Sequence, residues 1–179
     1  DGYQFENKEE TPLQFFIRFG KIYDTAPATT SYYEYRQPIY PGWDTENEME
    51  IDLDFLTSLK QFNSADDYTG NGEFTIYSNS SGVIIRHYKE LDKDGKYTGR
   101  EIIIYGQPTL ASVKRIDVGL RNRESNNGYA NQFKTGTIKG QVWIDELRLS
   151  DVRKGKGMAY RAKATLRVAD LASFDVSIN

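Results

Sequence analysis

His87 is the only histidine in the chain, and there is no cysteine. It stands in Val-Ile-Ile-Arg-His-Tyr-Lys-Glu, residues 83–90, on the face of Val83 and Ile85 and flanked by Lys89. An imidazole could serve as a general base, but a base needs a nucleophile to activate. With no second histidine and no thiol, no base–nucleophile pair of the usual kind assembles. A lone strand histidine more simply packs or faces water. The missing cysteines also exclude a disulfide scaffold and a zinc ribbon.

Carboxylates offer the next chemistry. Glu48, Glu50, Asp52 and Asp54 alternate with apolar residues. Alternate residues of a strand lie about 6 to 7 Å apart, a spacing compatible with glycoside hydrolysis. Four like charges in a row more simply make a solvated face, and nothing in the pattern sets one pKa apart from the others. Asp92, Asp94 and Gly95 resemble the start of a calcium loop, yet the twelfth loop position is Ile103 rather than glutamate. A hairpin turn accounts for Asp-Gly with fewer assumptions. Loop carboxylates such as Asp44, Asp66 and Asp67 leave calcium open as a structural cofactor, and no other cofactor is expected. Thr-Gly-Asn-Gly-Glu-Phe, residues 69–74, lacks the lysine and helix start of a phosphate loop.

Aromatic rings supply a further option. Tyr32, Tyr35, Tyr40 and Trp43, with Tyr33 among them, are close in sequence and form the candidate ligand or partner surface. Rings of this kind can stack on sugars, although alternate tyrosines on a strand also belong in cores.

The elements that must position these groups are strands. The apolar run 13–19 ends at Gly20, and Tyr-Tyr-Glu-Tyr-Arg-Gln-Pro-Ile, residues 32–39, closes at Pro38 and at the Pro41-Gly42 pair. Tyr33 and Tyr35 fall on one face, and Tyr32, Glu34 and Arg36 on the other. Residues 46–55 alternate most cleanly, with Met49, Ile51, Leu53 and Phe55 opposite the acidic stripe, and predict a half-buried strand. Residues 55–62 offer one or two helical turns. A short strand at 74–78 precedes a hairpin whose arms, 82–91 and 100–106, meet at Asp94-Gly95. Ile116, Val118 and Leu120 share a face. A glycine- and asparagine-rich loop over 124–137 leads to Gln-Val-Trp-Ile-Asp-Glu-Leu-Arg-Leu-Ser, residues 141–150, read as a closing strand.

The class is therefore all-β. We expect an antiparallel β-sandwich over residues 1–155, with Ile51, Leu53, Ile116, Val118, Val142, Ile144 and Leu147 in its core. A β-hairpin is expected over 156–179. There Tyr160, Ala162, Ala164, Leu166 and Val168 oppose Arg161, Lys163, Thr165 and Arg167. Phe174, Val176 and Ile178 begin a second apolar face after a turn at 170–173. Strands of about ten residues, apolar on one side and polar on the other, suit a closed barrel in lipid. An amphipathic hairpin on a soluble sandwich has the same pattern.

The chain has 179 residues, with 23 basic and 26 acidic side chains, a net charge of −3. This is no footprint for nucleic acid. No apolar run reaches helical membrane-spanning length. No signal peptide opens the chain, and the first methionine is Met49, so a mature or excised fragment is expected. Thirteen tyrosines and nine phenylalanines suit strands.

Several of these stretches resemble one family. They are Arg-Phe-Gly at 18–20, Tyr32 to Trp43, the strand at 49–53, and Val-Trp-Ile-Asp-Glu-Leu-Arg-Leu-Ser-Asp at 142–151 followed by residues 158–171. They are similar to the SprA/Sov family, the outer-membrane translocon of the type IX secretion system and gliding-motility machinery of Bacteroidota. Relatives tend to carry Asn where Asp145 stands, a swap that keeps a short polar side chain. The resemblance runs from about Phe15 to Ile178. It implies a segment of a large transmembrane β-barrel at the bacterial outer membrane, facing the cell surface or the periplasm, with no enzymatic activity. Its partners would be other subunits of the machinery and secreted cargo. It also implies contact with the outer membrane through Tyr160, Ala162, Ala164, Leu166 and Val168. The sandwich portion is separately similar to galactose-binding-like jelly rolls, a likeness of fold alone. A carbohydrate-binding jelly-roll module, stabilised by calcium, is the alternative.

Overall fold

The computed structural model describes residues 13–26, 29–122 and 141–148, and the backbone of strands at 162–168 and 172–178. The loop expected over 124–137, Tyr160 and Arg161, the turn after Val168 and the boundary expected at residue 155 lie outside the described residues. Packing divides the chain into two units, residues 1–137 and 138–179.

The first unit is built on one antiparallel sheet of six strands. β1 is Leu13–Lys21, β2 Ser31–Pro38, β3 Glu73–Ser78, β4 Ile84–Leu91, β5 Tyr97–Tyr105 and β6 Arg115–Asn122. Their order across the sheet is β3-β4-β5-β2-β1-β6. Local hairpins give β1–β2 and β3–β4–β5. Long-range pairings add β2 to β5 and β1 to β6. The turn between β4 and β5 forms where expected. Asp92 Oδ1 accepts from the backbone N–H groups of Asp94 and Lys96, each at 2.8 Å, so a side chain closes the turn. The all-β class is thus borne out.

Register sorts the side chains onto two faces. Ile17 and Phe19 of β1, Tyr33 and Tyr35 of β2, Ile102 and Ile104 of β5, Tyr88 of β4 and Phe74 of β3 share one face and are buried. What covers them is a helix, α1, Leu53–Leu59, with the segments on either side of it. Leu56 and Leu59 of α1 are fully buried. They are three residues apart and so face the sheet together. Each stabilises the fold by roughly 1.5–3 kcal/mol through lost apolar surface. Beyond the helix Phe62 and Tyr68 interlock with Phe74 at centroid distances of 5.3–5.8 Å, and Phe55 meets Tyr88 edge-on at 5.2 Å.

Several sequence expectations need correction. The run 46–55 is not a strand. Its alternation is real in burial: Glu48, Glu50, Asp52 and Asp54 are exposed, and Met49, Ile51, Leu53 and Phe55 pack toward the core. Among the described residues no strand pairs with it, however. Asp52 stays extended at φ −74°, ψ 105°, and its carboxylate accepts from Phe55 N, starting α1 there. Asp54 in the first turn suits the helix dipole. Ile51 and Leu53 therefore reach the core expected for them from a loop and a helix. Ile116 and Val118 do not. They share a face with Leu120, opposite Phe19, Ile17 and Phe15 in register, but the covering layer ends at β1. All three remain 45–52% exposed. Val142, Ile144 and Leu147 are also exposed, in a segment, 141–148, that forms no strand. Among the described residues of the first unit the second layer is helix and loop, not a second sheet.

In the second unit β7, Ala162–Val168, pairs antiparallel with β8, Ala172–Ile178. The register sets Ala162 against Ile178, Ala164 against Val176, Leu166 against Phe174 and Val168 against Ala172. The intervening pairs are Lys163 with Ser177, Thr165 with Asp175 and Arg167 with Ser173. Apolar positions meet apolar positions, and polar positions meet polar ones.

Candidate interaction surfaces

The face of the six-stranded sheet opposite α1 carries a chain of charges across four strands. Arg18 of β1 donates to Glu34 of β2 through Nε at 2.6 Å. Arg36 donates to the other oxygen of Glu34 and, through Nη1, to Glu101 of β5 at 2.9 Å. His87 of β4 places Nε2 3.2 Å from the same Glu101 oxygen, and the Tyr97 hydroxyl donates to the second. Glu34 and Glu101 are buried beneath these longer side chains. Burial alone would raise the Glu101 pKa. The bonds from His87 and Tyr97 and the charge of Arg36 reverse that, holding its carboxyl well below the usual range. His87 is thus one contact of a structural network. At the β6 end, hydrogen bonds to Asp117 and Asp24 raise the Arg115 guanidinium further.

The four aromatic residues expected to share a surface are separated. Tyr32 lies on the charged face, stacked on Tyr105 at 5.0 Å between centroids, with the Arg18 guanidinium 4.3 Å from its ring centre. Tyr35 is on the opposite, buried face. Its hydroxyl donates to Gln37 Oε1, and burial, eased by Arg100, pushes it up to about 12. Strand alternation makes this separation unavoidable, since residues 32 and 35 have opposite parity. Tyr40 and Trp43 follow β2 in a loop clasped by Asn47. Asn47 accepts from Tyr40 N at 2.8 Å and donates to the carbonyls of Tyr40 and Gly42 at 2.9 and 3.1 Å. Gly42 takes φ +78°, which a residue with a Cβ adopts only with strain. Buried Gln37 ties the loop to the sheet by donating to the carbonyls of Glu46 and Glu48. Trp43 projects from this clasp 84% exposed.

The acidic stripe lies beside a cleft of about 550 Å³. Glu48, Glu50 and Asp52 line it together with Tyr35, Phe55 and Tyr88. Asp44 caps a short 3-10 turn by accepting from Glu46 N, and Asp67 closes a capping box with Ser64. No three ligating side chains converge on one point among the described residues. The Glu34–Glu101 network was not expected from sequence. Its signal was present: Arg18, Glu34, Arg36 and Glu101 are charges within apolar strand runs.

The chain matches the SprA_N family, described as "Motility related/secretion protein", over residues 6–179. The chain belongs to this family. No curated protein and no solved structure matches it. The SprA_N match covers both units, the six-stranded sheet and the β7–β8 hairpin alike. It makes the protein motility- and secretion-related, which is consistent with the cell envelope and with working beside other components of that machinery. Among the described residues no helix is long and apolar enough to cross a membrane, a statement that does not bear on strands.

Proposed function

We propose that this SprA_N chain is a non-enzymatic structural and protein-interaction module of the outer-membrane type IX translocon, serving protein export and gliding motility. The first unit is the interaction module. The β7–β8 hairpin supplies barrel strands, with Ala162, Ala164, Leu166 and Val168 toward lipid or a barrel neighbour and Lys163, Thr165 and Arg167 toward a wet lumen. The observation carrying this reading is the hairpin register, which collects apolar residues on one side of both strands and polar residues on the other. A hydrocarbon environment demands that division, and it also demands neighbours on both edges. Partners are other subunits and exported cargo, met through the first unit. The carbohydrate-binding alternative has less support, because Tyr32 and Tyr35 occupy opposite faces and only Trp43 stands fully open.

The test is outer-membrane assembly of the full-length parent. Leu166→Arg should cost about 2–4 kcal/mol near the bilayer midplane and block assembly, while Arg167→Leu should assemble. The reverse result would invert the faces. Normal assembly of both would remove the barrel reading.

A further inference from the structure

Trp43 is the most exposed large apolar side chain among the described residues, at 84%. Its loop is tied in place. Asn47 holds the backbone of Tyr40 and Gly42, Asp44 caps the turn at 45–47, and Gln37, itself 1% exposed, anchors the backbone of Glu46 and Glu48 to the sheet. A ring held out in water by a loop tied at so many points has paid its ordering entropy before any contact forms. That is the usual state of an aromatic anchor at a protein interface.

The chemistry of the surroundings chooses the occupant. Residues 44–52 contain five carboxylates, Asp44, Glu46, Glu48, Glu50 and Asp52, and no basic residue. An anionic lipid surface would repel this segment. A protein pocket rimmed by lysine or arginine would attract it and would speed encounter. We propose that Trp43 is a docking anchor that inserts into an apolar pocket of another protein, and that Glu48 and Glu50 meet basic residues at the rim of that pocket. The inference deepens the interaction-module reading above and rests on it.

The experiment places a photoreactive benzoylphenylalanine at Thr45 in the full-length parent within its own cells, with a control at Tyr77 on β3. The expected result is one discrete protein adduct from Thr45. Its cross-linked peptide, identified by mass spectrometry, carries lysine or arginine on both sides of the contact. Trp43→Ala should weaken the adduct at least about tenfold, the scale of an anchor residue, while Trp43→Phe retains most of it. Glu48→Lys with Glu50→Lys should also abolish it. Four results overturn the proposal: no adduct above the Tyr77 control, an adduct to this chain itself, an adduct that survives Trp43→Ala, or a contact peptide without basic residues. Lipid is tested with the 179-residue chain carrying Trp143→Phe, so that Trp43 alone reports. Its emission should not shift with phosphatidylcholine vesicles or with equal mixtures of phosphatidylcholine and phosphatidylglycerol. A blue shift assigns the loop to a membrane and removes the protein partner. If Thr45 gives no adduct but the same probe at Val118 of β6 does, the interaction-module reading stands and the Trp43 anchor falls.

Discussion

Three side chains, Arg36, His87 and Tyr97, reach the Glu101 carboxylate. Its pKa is depressed in the fold below the ordinary value of 4.5. A carboxyl depressed on folding contributes stability that is fully present above its unfolded pKa and is lost as pH falls through that value toward the folded one. The urea midpoint of the chain should therefore fall as pH drops from about 5 toward 3. Glu101→Gln should lower stability by about 2–3 kcal/mol at pH 7, because Arg36 and Tyr97 lose a buried anion. It should also flatten the acid limb. An unchanged acid limb in this variant, followed by far-UV circular dichroism, would show that other carboxylates govern the transition. His87→Ala should affect stability alone, since the imidazole serves the Glu101 network through Nε2.

At the scale of the element, β6 shows how an edge strand is held. One flank pairs with β1, and Gly119 lies beneath the Phe16 ring of that neighbour. A Cβ on Gly119 would stand 2.8 Å from the ring, inside any normal contact. Phe16 thus covers a glycine that would otherwise weaken the strand. Gly119→Ala should destabilise the chain by about 1–2 kcal/mol through overpacking. Phe16→Leu should recover most of that loss in the double variant, and a thermodynamic cycle from urea unfolding measures it. Additive losses would mean that strand propensity at position 119, rather than the ring, sets the cost. Helix α1 works on another principle: a seven-residue helix is too short to persist by itself, and Leu56 and Leu59 hold it against the sheet.

For the whole molecule, the order β3-β4-β5-β2-β1-β6 puts β5 and β2, from distant parts of the sequence, at the centre. Joining them closes a long loop, an entropic cost that the local hairpins avoid and that the packed face beneath α1 offsets. Amide exchange should be slowest at Tyr33, Tyr35, Ile102 and Ile104 and faster along β3 and β6, each paired on a single flank. Mass-resolved exchange of the intact chain reads this. Equal protection in β6 and β5 would mean that the sheet has no frayed end.

Residue patterns alone specify the all-β class, all eight described strands in approximate position and the Asp92–Lys96 turn, because alternation and turn chemistry act over a few residues; they also predict strands at 46–55 and 141–150, which do not form among the described residues. They also determine which side of each strand is apolar. Tertiary structure decided what each apolar side meets. Alternation from Glu48 to Phe55 is the same pattern whether the chain pairs with a strand or lies unpaired over one, and only the absence of a neighbour, with Asp52 capping α1, separates the two. Ile116, Val118 and Leu120 have a core strand's pattern, yet their burial depends on how far the covering layer extends. The four aromatic residues are close in sequence, but strand parity sends Tyr35 to the core and Tyr32 to the charged face, and the Asn47 clasp holds Tyr40 in the loop and Trp43 out in water. A pattern specifies a face, whereas a neighbour is supplied by residues that fold onto that face from elsewhere in the chain.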